Sequence, residues 1–345
     1  MHRPDTTEGQ LRLHIENVNY FRNLEYKSNI DEGRTLFGYQ FSPELSYQLA
    51  PKIQVTAGIF TQKDFGRSEF YSLSPIYRLQ YRNKAKTFVF GNLFGSMQHG
   101  LIEPLYDPER IIERRLENGF QFLWNRKNFY MDAWMDWQRM IYQNSDHPEE
   151  FMAGVVAEPK LINTEHTMLS FPFQMTAYHL GGEIDTSHQG TKSIFNFDYG
   201  SKIVLHSSTG AFDSIDFQAH LTYFEDISSI TDSYIDGLGQ MFSAAIYLKK
   251  FGLMLNYWDA HQFQSPSGDV LYQSISFKNR SRYSHDYRKM VMARIFYQRN
   301  LGPDLNFLFR TTFVHDLNQK TDDFIGEFYF RWTPSWTLAK IKKSN

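Results

Sequence analysis

One stretch near the end of the chain constrains its fold more than any other. Residues 322–332 place Phe324, Gly326, Phe328, Phe330 and Trp332 at one parity and Ile325, Glu327, Tyr329 and Arg331 at the other. Successive side chains of a strand point to opposite faces. An apolar, aromatic face backed by a charged one suits a strand with lipid outside and a wet lumen inside. A soluble sheet would turn the aromatic face inward, so the repeat along the chain has to decide.

That repeat favours lipid. Alternating segments are expected at 11–22, 35–47, 53–63, 73–82, 86–96, 115–124, 128–138, 150–158, 165–178, 193–206, 213–224, 237–249, 252–262, 285–298, 304–316 and 322–332. The joins alternate: short at 48–52, 83–85, 125–127, 159–164, 207–212, 250–251 and 299–303, and mostly longer in between, with 317–321 a tight exception. The fold expected is therefore all-β: a single closed antiparallel transmembrane β-barrel of about sixteen strands, with short periplasmic turns and long extracellular loops. It occupies 11–332, closed by pairing 11–22 with 322–332, and residues 1–10 and 333–345 are periplasmic. Soluble propellers and double sandwiches also alternate, but no repeat of roughly 40–50 residues is visible. Gly38, Pro43 and Pro172 fall inside expected strands and call for bulges or edge-like irregularities.

Composition agrees. Aromatic residues reach 17%, the mean hydropathy is −0.49, and no run approaches the roughly 20 apolar residues of a membrane helix. Parity points Phe129, Met131, Met135, Phe217, Leu221, Phe307 and Phe309 at lipid, with Trp124, Trp137, Trp332 and Trp336 at the interfaces. The absence of cysteine excludes disulfides and thiolate chemistry, and a net charge of −2 without a basic block argues against nucleic acid. The start lacks an apolar signal core, which suggests a processed form.

The charged residues at lumen parity are Arg12, Glu16, Arg78, Arg82, Glu117, Asp132, Asp136, Asp216, Arg294, Arg310, Glu327 and Arg331. They either set a field across a pore or pair to fill a closed interior. The join 97–114 carries Leu101, Ile102, Pro104, Leu105 and Tyr106, apolar groups that would seek a wall, and is expected to occlude the mouth from the cell-surface side. The join 263–284, with Tyr272, Arg280, Arg282 and Tyr283, reads as a solvated loop.

The words His99-Gly100-Leu101-Ile102-Glu103-Pro104-Leu105-Tyr106-Asp107-Pro108-Glu109-Arg110 and Glu117-Asn118-Gly119-Phe120-Gln121 resemble a loop of uncharacterised outer-membrane β-barrels of Bacteroidota. The resemblance implies the barrel and carries no activity. The twelve histidines are scattered, so neither metal nor cofactor is expected. His220 sits at lumen parity without a nucleophile motif, and Asp259, His261 and Ser265 share a mouth without one, so no enzyme is expected. Two functions fit: a porin-like channel for small solutes, or a non-conducting subunit of an outer-membrane barrel-assembly or surface-export complex. Outer-membrane lipid and lipopolysaccharide are the expected surroundings, and protein partners belong to the second reading.

Overall fold

The computed structural model describes residues 8–95, 99–182, 190–207, 210, 212–229, 234–276 and 283–340. Its strands are β1 (Gln10–Glu25), β2 (Arg34–Ala50), β3 (Ile53–Asp64), β4 (Ser72–Asn83), β5 (Lys86–Asn92), β6 (Asn118–Arg126), β7 (Phe129–Arg139), β8 (Glu149–Asn163) and β9 (Thr167–Ser170). They continue with β10 (Phe173–Gly181), β11 (Lys192–His206), β12 (Ser214–Asp226), β13 (Asp236–Leu248), β14 (Phe251–His261), β15 (Tyr287–Gly302), β16 (Leu305–Asp316), β17 (Thr321–Trp332) and β18 (Ser335–Lys340). One helical turn, α1 (Arg110–Glu113), and a 3-10 turn at Val270–Tyr272 lie in the loops.

The segments form one antiparallel sheet that closes on itself. β9 and β10 pair with the same neighbours, β8 and β11, on either side of Pro172, so they are one stave in two pieces. β17 and β18 likewise share β1 across Pro334. The barrel thus has sixteen staves. Proline lacks the ladder donor, but its carbonyl still serves: Pro172 O accepts from Gly200 N at 2.8 Å and Pro334 O from Ile15 N at 3.1 Å. Closure runs from Asn17↔Trp332 to Glu25↔Phe324, with β18 covering Gln10–His14.

Two expectations need correction. The ladder between β2 and β3 keeps its register from Phe41↔Thr61 to Glu44↔Gly58, so neither Gly38 nor Pro43 makes a bulge. The barrel does not end at residue 332, because the backbone of residues 335–340 completes the wall beside β1.

The alternation holds on every long stave. Phe217, Leu221 and Phe309 are exposed on the outer face, whereas His220, Thr222 and Asp132 are buried on the inner one. At the end bearing the termini and short turns, Trp124 packs on Phe129 with Lys86 and Arg126 beside it, and Trp332 meets Trp336 edge-on, as an interfacial girdle requires. The loop end of the lumen, by contrast, is a hydrophobic core. Ile194, Phe224, Trp258, Met290, Val314 and Ile325 from the wall enclose Leu105, Phe263, Leu271 and Tyr272 from two inward-folded loops. The loop half of the lumen is thus packed with apolar side chains rather than wet.

Arginine at Phe309, mid-stave on the lipid face, should destabilise the barrel by about 2–4 kcal/mol. Arginine at lumen-facing Asn306 should cost less. Urea folding titrations in lipid vesicles check the ranking, and the reverse order would mean an inverted wall.

Candidate functional site

The site begins where two staves stop early. β5 ends at Asn92 and β6 starts at Asn118, and Gly91 faces Gly119 in the last ladder rungs. Their φ values of +98° and +154° are open to glycine, and a Cβ on either would strike the carbonyl of Tyr77 or Met135. Asn92 seals the edge: its Oδ1 accepts from Tyr77 N at 2.6 Å and its Nδ2 donates to Asn118 at 2.7 Å. Beyond these residues both chains turn into the lumen.

The loop between them crosses to the far wall and back. Ile102 N donates to Gln174 at 2.8 Å, and Glu103 accepts from Arg294 Nη2 at 3.0 Å and Tyr272 Oη at 2.9 Å. On its return Glu109 meets Arg34 at 2.7 Å and Arg22 at 3.6 Å, and Arg115 meets Glu16 at 2.7 Å. Residues 262–276 of the facing loop fold down onto it: Asp107 N donates to Ser267 O at 2.7 Å and Asp269 N to Glu103 O at 2.9 Å. Leu271 and Tyr272 are fully buried, so this segment is core rather than a solvated loop. Arg280 and Arg282 lie outside the described residues. Pro104, Leu105 and Tyr106 are buried and Leu101 and Ile102 half-buried, deeper than a mouth lining.

His99 anchors the crossing. Its Nδ1 lies 2.8 Å from Asp132 and its Nε2 2.7 Å from Glu117, which also accepts from Tyr106 Oη. Its ring stacks on Trp134 at 3.7 Å, and Trp134 lies where a Cβ on Gly154 would be. Burial works against the charge, but the hydrogen bonds to Asp132 and Glu117 outweigh it and hold the imidazole pKa up at about 9. An imidazolium with both nitrogens engaged by carboxylates has no lone pair for proton abstraction, so His99 is an electrostatic anchor.

The other predicted lumen residues divide by height. Arg12, Glu16, Arg78, Arg82 and Arg331 surround a chamber at the terminus end. Arg310 pairs with Glu327 and Arg294 with Glu103 farther in, and Asp216 accepts from Ser214 Oγ at 3.1 Å near a short turn. Asp259, His261 and Ser265 are not brought together: Asp259 pairs with Lys289 at 2.9 Å, His261 packs on Tyr287, and Ser265 is buried beneath the loops.

Two polar pairs escaped the sequence reading. His220 Nδ1 lies 2.9 Å from Asp198, over Gly200, beside a small mid-barrel cavity that Glu158 and Lys202 also line. His14 Nε2 lies 2.8 Å from Ser46 Oγ, with both side chains buried. Both pairs join adjacent strands, so parity alone was compatible with them but register was needed to find them.

The early ends of β5 and β6 also open the wall. Above Arg78↔Gly91 and Gly119↔Asp136, the six residues Ser72–Tyr77 of β4 have no backbone ladder partner in β5, and Trp137–Arg139 of β7 have none in β6. That is roughly 20 Å of strand edge. A cavity of about 650 Å³ occupies the notch, lined by Ser74, Arg114, Asp136, Arg139 and Glu150 among others. Arg114 and Arg139 each lie 3.6 Å from the single carboxylate of Glu150. Asp136 is buried and accepts from Asn118 N at 2.8 Å and Gln138 Nε2 at 3.1 Å. Leu73, Tyr77 and Phe120 are exposed on the outer face around it.

Similar solved structures carry the same wall. OprD of Pseudomonas aeruginosa superposes with a TM-score of 0.56 at 10% identity, covering 94% of each chain. A loop-deletion form of OmpT from Vibrio cholerae gives 0.56 at 9% identity, covering 94% of this chain and all of that one. OccAB4 of Acinetobacter baumannii gives 0.54 at 9%, covering 97% of this chain and all of that one. No curated protein sequence matches the chain. The fold is that of the porin-like outer-membrane β-barrels. Within that class the chain belongs to the lipid A 3′-O-deacylase-type family, whose profile matches residues 3–341.

The family name is that of an enzyme, which overturns the expectation that this chain is none. That expectation rested on the lack of a nucleophile motif, whereas ester hydrolysis also runs on a water activated by a base that the fold assembles from separate strands.

The His99 anchor gives a pH signature. A pKa raised from 6.5 to about 9 contributes stability that is fully present below 6.5 and is lost as pH rises through 9. The shift corresponds to about 3 kcal/mol at most. Unfolding titrations at pH 7 and 10 should show a wild-type loss that His99→Gln lacks.

Proposed function

We propose that this chain is an outer-membrane ester hydrolase that removes an acyl chain from a lipid A-like amphiphile, taken in sideways through the notch. The carrying observation is the gap between β4 and β7, polar within and apolar at its outer rim, at the loop end of the wall. In this reading the loop end faces outward, the termini are periplasmic, and the notch stands where acyl chains meet headgroups in the outer leaflet. Acyl chains would lie along Leu73, Tyr77 and Phe120, while Arg114 and Arg139, sharing one carboxylate, would face the anionic headgroup.

Asp136 is the base we assign. Its carboxylate takes a proton from a water, the hydroxyl oxygen forms the new bond to the ester carbonyl, and the C–O bond to the sugar breaks. The departing alkoxide recovers the proton, leaving a free fatty acid and a hydroxyl on the lipid. Asp136→Asn should lower deacylation at least 100-fold, read by mass spectrometry of lipid A from cells expressing folded barrel. His220→Gln, away from the notch, should retain activity. The opposite pattern would move the chemistry to the mid-barrel cavity.

A second reading, a solute channel, is supported by the likeness to porins, while the loops that cross the lumen weigh against it. Planar bilayers separate the two. Wild type should stay silent, and deleting about ten residues within 97–114 should open conductance. Steady wild-type currents would favour the channel.

A further inference from the structure

We propose that the lumen chamber at the terminus end is a binding site for a compact oxyanion of the phosphate type, reached from the side of the short turns. Five guanidinium groups converge there: Arg12 from β1, Arg78 and Arg82 from β4, Arg115 from the crossing loop and Arg331 from β17. They surround a cavity of about 260 Å³ whose carboxylates are Glu16, Glu44 and Asp304.

Even without counting Arg82, the pairing leaves a positive excess, because one carboxylate serves two arginines and Arg12 binds a hydroxyl. Glu16 is shared, 2.7 Å from both Arg115 and Arg331, and Glu44 lies 3.4 Å from Arg78. Asp304 sits in an exposed turn at the rim, beside Thr333 and Ser335. Arg12 Nη2 donates to a neutral group, Ser335 Oγ, at 3.0 Å, and Arg12 Nε is buried without a partner. Guanidinium groups withdrawn from water without matching carboxylates are costly. The guanidinium fork matches the geometry of an oxyanion, and low-dielectric walls focus the field on a small volume. Side chains long enough to reach one centre from three staves and a loop make a site rather than a surface patch. Phe60, Arg115 and Leu116 line both the chamber and the notch, but Asp136, Arg114 and Arg139 line only the notch, so anion binding here does not rest on the hydrolase reading.

The probe is inorganic phosphate, titrated calorimetrically into the folded full-length barrel in nonionic detergent, with sodium chloride of equal ionic strength as the reference. Saturable one-site heat is expected. Arg12→Gln should weaken binding by about tenfold, the loss of one charge-assisted hydrogen bond. Glu16→Gln should tighten it by a similar factor, because it releases Arg115 and Arg331 from their shared counter-charge. Heat-modifiable gel mobility establishes that each variant is folded. The site is overturned if folded wild type gives no saturable heat beyond the chloride reference, or if the two substitutions fail to move affinity in opposite directions.

Discussion

Everything in this barrel depends on one requirement: a backbone facing hydrocarbon must find all its hydrogen bonds within the protein. The first stave meets it by pairing along its whole length with β2 on one side and with β17 and β18 on the other. Prolines that interrupt two staves keep their carbonyls in the ladder, so the wall stays continuous across Pro172 and Pro334. The same requirement gives the notch its significance. Strand edge is left open between β4 and β7 only where polar side chains and the returning loop stand behind it, and Asn92 meets part of the demand with its own amide.

The closed wall in turn dictates how the lumen is filled. A ring of sixteen staves encloses more space than wall side chains fill, and two loops occupy the half away from the termini. They bring their own apolar core, Leu105, Phe263, Leu271 and Tyr272, and are tied by charges: Glu103 to Arg294, Glu109 to Arg22 and Arg34, and His99 to Asp132 and Glu117. Breaking any one of these buried pairs would strand the remaining charge. The loops are therefore part of the folded core, and the polar cavities lie around them rather than in a straight bore.

Much of this is legible in the parity of the sequence. The lipid faces of β7, β12, β16 and β17, the inward turn of Arg12, Asp132, Arg294 and Glu327, and the alternation of short and long joins all follow from a period of two. Parity does not reveal the partners. Arg294 finds Glu103 across 191 positions of chain, and Arg331 finds Glu16 across 315. The loop 262–286 reads as solvated because serine, asparagine and tyrosine carry no periodic signal, yet several of its side chains bind its own backbone in the interior: Ser265 N donates to Gln273, Phe263 N to Ser274 Oγ, and Asp269 accepts from Leu271 N.

The wall is written in the order of residues: strands of alternating character, which side of each meets lipid, and the end from which the long loops spring. These are local properties, settled by the geometry of a single extended chain. Folding in three dimensions is what makes β5 and β6 stop short of their neighbours, puts Asp136 and two arginines in the resulting notch, and turns five arginines from distant segments toward one chamber. Those features arise from register, and from glycines at positions 91 and 119 whose backbone angles matter only once their neighbours are in place.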